Sequence, residues 1–175
     1  DTPQMERFYQ SCLEEAMFEG QIYAIPNSVD DRALFYNKDL LKRAGLVDES
    51  GAAKPPRTWE ELLEYAVKLS ERDEDGLLKT VGYIPQYGNV FLYIYGWMKD
   101  AQFMSDDGTV CRLNSPEVVE ALEYMVSVYD TLGGYEEVSA FQTGFQKDAL
   151  DPFIQGKVAM EIHGAWRMPW LGTYG

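Results

Sequence analysis

At 175 residues, with 46% hydrophobic and 14% aromatic content, the chain can bury one ordinary core and does not read as a disordered segment. Its 29 acidic against 15 basic residues give a net charge of −14, which repels phosphate backbones and anionic membrane surfaces and disfavours nucleic-acid binding. No apolar run is long enough to span a bilayer, and a single histidine with two distant cysteines, Cys12 and Cys111, offers no zinc motif. A bridge between those cysteines is unforced; both read as free or as small buried residues.

Thr2 to Met17 mixes aromatic and acidic residues at helical spacing, predicting a short helix that ends near Gly20. Ile22 to Ile25 and Ala33 to Tyr36 are brief apolar runs suited to buried strands. Lys38 to Ala44 predicts a helix stopped by Gly45, and Thr58 with Glu61 forms a capping box for a helix whose apolar face is Leu62, Leu63, Ala66 and Leu69. Thr80 to Ile84 reads as a strand closed by Pro85, followed by a buried helix over Val90 to Met98. After the Asp106-Asp107-Gly108 turn, Thr109 to Arg112 is a candidate strand. Ser115-Pro116-Glu117 starts a helix with Val118, Leu122, Met125, Val126 and Tyr129 on its buried face, ended by Gly133-Gly134. A helical segment is expected between Thr143 and Gln155, and Val158 to Ile162 is the last strand. Alternating strands and helices define an α/β layered domain, a class that binds ligands in crevices at strand ends. The segments around Asp30, Pro85 to Phe91 and His163 to Trp166 all leave such ends.

Phosphate-cradling glycine loops and a nucleophile elbow are absent from the sequence. His163 would have to serve any catalytic triad alone and reads as structural, while abundant acids leave a glycosidase-like carboxylate pair open without singling one out. Aromatic residues are the better lead, because the C–H faces of sugars pack on rings while their hydroxyls seek polar partners. Trp166 follows a Gly-Ala step after a strand, and Tyr87 sits in a loop between Gln86 and Gly88; for each, a core or surface packing role competes with ligand contact. Trp97 reads as core and Trp59 as a packing residue. Asp30, Asp31 and Arg32 read first as a solvated turn, and Asn37 as a helix cap.

Three phrases in a fixed order carry a resemblance. Gly20-Gln21-Ile22-Tyr23-Ala24-Ile25-Pro26 runs into Ala33-Leu34-Phe35-Tyr36-Asn37-Lys38-Asp39-Leu40-Leu41; Pro55-Pro56-Arg57-Thr58-Trp59-Glu60-Glu61-Leu62 follows; Phe153-Ile154-Gln155-Gly156-Lys157-Val158-Ala159-Met160 with Gly164-Ala165-Trp166 closes the series. Over roughly Gly20 to Trp170 the chain resembles the family 1 extracellular solute-binding proteins, relatives of maltose-binding protein that serve ABC importers. The resemblance implies a two-lobe, type II periplasmic-binding-protein-like architecture. Residues 1–175 would form a single α/β domain, most of the second lobe, with 1–20 a helical lead-in and the first lobe absent.

It further implies binding of a mono- or oligosaccharide without catalysis or cofactor, delivery to ABC permease subunits in the membrane, a monomer, and a periplasmic or lipid-anchored extracytoplasmic location. Trp166 matches the family's sugar-stacking tryptophan, Asp30 the position of an acid that bonds sugar hydroxyls, and Gln86 and Tyr87 the loop carrying a further polar contact and a stacking ring. A binding protein for a peptide or polyamine, and an enzyme acting on carbohydrate through an acidic pair, are the alternatives.

Overall fold

The computed structural model describes residues 5–175, in two compact units, Asp1–Asp31 and Arg32–Gly175. Residues 2–4 of the expected first helix lie outside the described residues. In the first unit that helix is shorter than expected: a 3-10 turn at Met5–Arg7 precedes helix α1, Gln10–Glu15. Two-residue strands β1 (Met17–Phe18) and β2 (Gln21–Ile22) then pair antiparallel around Gly20, whose φ of 75° suits the turn. Ile22 to Ile25 is therefore mostly not strand, and Ile22, Tyr23 and Ile25 are exposed.

The second unit is built on a four-stranded sheet in the order β3-β6-β5-β4, with β3 at Arg32–Tyr36, β4 at Glu71–Arg72, β5 at Leu78–Gly88 and β6 at Val158–Gly164. β3 and β4 run antiparallel to their neighbours, whereas β5 and β6 run parallel. From Val158 to Ile162 every residue of β6 is buried, as expected of a strand covered on both faces.

Helix α2, Lys38–Arg43, starts where Asn37 Oδ1 accepts from the backbone N–H groups of Asp39 and Leu40, so Asn37 caps as its sequence position predicts. Helix α3, Trp59–Lys68, is capped by Thr58, whose hydroxyl oxygen accepts from Glu61 N–H at 3.2 Å. Glu61 reaches back one residue further than a standard capping box, accepting from Arg57 N–H at 2.7 Å. α3 lies directly on β5: a Cβ on Gly82 would stand 2.5 Å from the carbonyl oxygens of Tyr65 and Ala66, so only glycine permits this approach.

Helix α4, Leu92–Trp97, buries Ile94 and Tyr95 but leaves Phe91, Tyr93 and Trp97 exposed; Trp97 is not a core residue. Its ring instead stands edge-on to Tyr93 and Phe103 in a surface aromatic row. Trp59 does pack, stacked on Tyr124 with ring centroids 4.4 Å apart. Residues Thr109 to Arg112 form no strand; only an isolated bridge joins Met104 and Cys111. Helix α5, Pro116–Thr131, buries Val118, Ala121, Met125, Val128 and Tyr129, leaving the expected core residues Leu122 and Val126 half exposed. Ala121 and Val128 are fully buried on this helix in place of Leu122 and Val126.

Helix α6 occupies Tyr135–Gln142, ahead of the expected helix at Thr143 to Gln155; that stretch holds instead a 3-10 turn at Asp148–Leu150 and further turns. A helix α7, Arg167–Tyr174, follows β6 although Pro169 and Gly172 argue locally against it. The thiols of Cys12 and Cys111 are both free.

Candidate functional site

Because β5 and β6 are parallel and β3 opposes β6, one edge of the sheet gathers the end of β5, the end of β6 and the start of β3. Arg32 faces Gly164 across the β3–β6 ladder, and Gly88 faces Ile162 across the β5–β6 ladder. Three segments distant in sequence thus meet at one rim, where strand-end crevices form.

At this rim Trp166 presents an indole ring that is 47% exposed. The ring folds back over Gly164, where any Cβ would meet it at 2.2 Å, so this glycine makes room for the ring. Arg32 lies over the indole, its guanidinium carbon 4.9 Å from the ring centroid, and its Nε donates to the Asn89 carbonyl at 2.7 Å. His163 meets the indole edge-on at 5.6 Å. Burial, with the Arg167 charge adding to it, lowers the His163 pKa, so the ring is neutral at pH 7 and its Nδ1 accepts from Gly164 N–H at 2.9 Å. The hydrogen bond at Nδ1 and the edge-on contact with the indole fix the orientation of the ring. An open aromatic face rimmed by hydrogen-bonding groups suits a flat, hydroxylated ligand.

Tyr87 sits on a distortion of β5. Tyr83 pairs with Met160 and Gly88 with Ile162, so five residues of β5 span two of β6, and Ile84 to Tyr87 bulge out. Pro85 is tolerated there, which is why β5 outlasts the proline expected to end it. The ladder closes again because Gly88 adopts φ of 90° with no Cβ, which would lie 2.5 Å from the Ile162 carbonyl oxygen. Gln86 is exposed on the bulge, whereas Tyr87 is partly buried, edge-on to Phe145 and 3.5 Å from Asp151 Oδ1. Burial, then the Glu161 and Asp151 charges, push the Tyr87 pKa far up, so it remains a neutral phenol.

Beneath the rim lies a charged cluster that the sequence reading missed. Arg167, 6% exposed, donates from Nε to Glu161 Oε1 at 2.5 Å and from Nη2 to Asp151 Oδ1 at 2.8 Å. Its guanidinium also lies 4.2 Å from the Trp170 ring centroid. Burial works against the Arg167 charge, but the bonds to Asp151 and Glu161 outweigh it and raise its pKa. Burial pushes the Glu161 carboxyl up to about 7, partly offset by Arg167. The available signal was a lone glutamate inside an apolar strand, Val158-Ala159-Met160-Glu161-Ile162, with an arginine six residues on.

Of the four residues singled out from sequence, Trp166, Tyr87 and Gln86 belong to the second unit, Trp166 and Tyr87 joined through the Arg167 cluster. Asp30 belongs to the first unit, two residues ahead of Arg32 in the chain. Among the described residues no group of three or more His, Cys, Asp or Glu is arranged to hold a metal ion, and no helix is long and apolar enough to cross a membrane.

Residues 5–169 match the model of the bacterial extracellular solute-binding protein family. The chain is 25% identical over 163 residues to the maltodextrin-binding protein MdxE of Bacillus subtilis, covering 88% of this chain and 35% of that protein. It is 30% identical over 148 residues to the sn-glycerol-3-phosphate-binding periplasmic protein UgpB of Shigella dysenteriae, covering 81% and 30%. Among solved structures, CpMnBP1 with mannobiose bound superposes with a TM-score of 0.85 at 29% identity, over 99% of this chain and 43% of that one. The chain thus spans well under half the length of these relatives. Its α/β fold is theirs over that span, and the chain belongs to the bacterial extracellular solute-binding protein family.

Proposed function

We propose that this chain is the larger part of the second lobe of a sugar-binding protein that serves an ABC importer, with the sheet rim at Trp166 as its half of the ligand cleft. The observation that carries the proposal is the Trp166 ring, half open to solvent at a strand end and held by Gly164, His163 and Arg32. A sugar face stacks there, while Tyr87 and Gln86 on the β5 bulge supply polar contacts; for Asp30, in the first unit, a contact to sugar hydroxyls rests on the family resemblance alone. The ligand class is supported by the similarity to CpMnBP1, solved with mannobiose and with mannotriose, and to a maltodextrin-binding protein. The reaction is capture and release without covalent chemistry: the two lobes of the full-length protein close on the sugar by a hinge motion and offer it to membrane permease subunits. The protein acts as an extracytoplasmic monomer.

Isothermal titration of the full-length protein against mannobiose, mannotriose, maltodextrins, a non-sugar peptide and glycerol 3-phosphate tests this reading. A saturable sugar isotherm is expected, and Trp166→Ala weakens it by about 1–3 kcal/mol, roughly fivefold to 150-fold, by removing the stacking face. Absence of binding to every carbohydrate overturns the sugar assignment.

A further inference from the structure

The Asp151–Arg167–Glu161 cluster is an unusual thing to bury beneath a binding rim. A buried ion triad has to recover the desolvation of three charged groups, and an apolar set of similar volume is often at least as stable. Here the recovery is incomplete: Glu161 is 1% exposed, and its Oε2 has no partner in hydrogen-bond geometry. Stability alone does not account for the cluster.

Its connections do. Arg167 is the residue after Trp166 and opens α7, so fixing its guanidinium fixes the turn from which the indole projects. Asp151 Oδ1 accepts not only from Arg167 but also from the backbone N–H groups of Phe153 at 3.0 Å and Ile154 at 3.3 Å, anchoring the turn after the 3-10 segment. The same oxygen faces the Tyr87 hydroxyl, on the β5 bulge. Glu161 ties the assembly to the most buried strand of the sheet. One guanidinium therefore joins the β6–α7 turn, the segment around Asp151 and, through Asp151, the bulge, while each of these is otherwise a loop.

We propose that Arg167, held between Asp151 and Glu161, is a positioning residue that sets the Trp166 ring and the Tyr87 bulge in register for ligand, so that the cleft wall is preorganised before the ligand arrives. The inference rests on the reading of the rim as the ligand cleft; the arrangement itself is measurable without ligand.

The test uses the full-length protein labelled with 5-fluorotryptophan, the Trp166 fluorine resonance being assigned by its loss in Trp166→Phe. The double variant Glu161→Gln with Arg167→Met removes two of the three charges, and the Asp151 carboxylate that remains keeps its two backbone donors. We expect it to retain a cooperative unfolding transition, to shift or broaden the ligand-free Trp166 resonance, and to bind mannobiose at least tenfold more weakly. Arg167→Lys keeps the charge but not the two-pronged geometry, and is expected to restore part of the affinity and of the resonance. A folded double variant with an unchanged Trp166 resonance and unchanged affinity overturns the proposal. Should the double variant not fold, the resonance in Arg167→Lys and Glu161→Gln decides: both unchanged overturns the proposal, a shift in Arg167→Lys upholds it. Should the wild type bind no sugar, the reading of the cleft falls, while the ligand-free resonance still decides whether Arg167 positions Trp166.

Discussion

The two ends of β6 follow opposite rules. At its start, Val158, Ala159 and Met160 are buried among Val81, Tyr83, Leu41 and Val128, with no side-chain polar atom of their own to satisfy. At its end, Glu161, His163 and Gly164 carry a charged cluster, a neutral imidazole and a cradle for an exposed indole. One strand of seven residues passes from apolar packing to the charged and aromatic groups of the proposed rim within a single residue step. The first half is optimised for burial. The second accepts an incompletely paired carboxyl in exchange for a fixed surface, as binding sites do.

Three perturbations break or sharpen this contrast. The largest effect is expected at the packing end. Met160 is fully buried, so Met160→Ala leaves a cavity and costs about 2–5 kcal/mol of unfolding free energy. Urea unfolding reads the loss, and the Trp166 environment should be unchanged; if the two ends are coupled, it will move too.

The second perturbation is pH. Burial pushes the Glu161 carboxyl up to about 7 in the folded chain, from an ordinary glutamate value of 4.5. The native state therefore holds a proton that the unfolded chain has already released, and stability falls as pH rises from about 4.5 to about 7, then levels. The contribution is at most about 3 kcal/mol. Glu161→Gln should remove this component, so the difference between wild-type and variant unfolding curves should slope across that window; a flat difference would show that Glu161 is ionised throughout.

The smallest stability effect is expected at Gly164. The added Cβ of Gly164→Ala would stand 2.2–2.6 Å from three atoms of the Trp166 ring, so the ring must leave its seat; because the indole is half exposed, the cost in stability is expected to stay at about 1 kcal/mol. Tryptophan fluorescence should nevertheless report a displaced ring and sugar affinity should fall. A large stability loss would place the indole in the core and not at the rim.

The same division governs what could be read from sequence. α3 was legible because Thr58, Glu61 and its apolar stripe agree with one another, and α5 because Pro116 and Gly133 mark its ends. Its buried face was misread because apolar residues surround much of that helix, so the sequence does not single out Ala121 and Val128 over Leu122 and Val126. Residues 143–157 lack a dominant period, and their turns depend on Asp151 anchoring to Arg167, a contact 16 positions away. α7 was missed because Pro169 and Gly172 oppose it locally, while the buried Arg167 at its start is a tertiary fact. Trp166 could be singled out as an aromatic after a glycine step. Arg167, one residue later, could not, since an arginine in a polar-aromatic stretch reads as solvated until a buried glutamate is found beneath it.

The re-registration of β5 at Gly88 has a consequence for how such a wall can be altered. The ladder holds at Tyr83 and resumes at Gly88, so the four residues between are bookended by pairings that do not depend on their number. Ile84 and Pro85 are nevertheless fully buried, and the Tyr95 hydroxyl donates to the Pro85 carbonyl at 2.8 Å, so only Gln86 and Tyr87 stand clear of the core. The bulge is thus anchored at its first half and open at its second: a change of side chain at Gln86 or Tyr87 alters the rim while Val81 and Tyr83 keep their partners in the core.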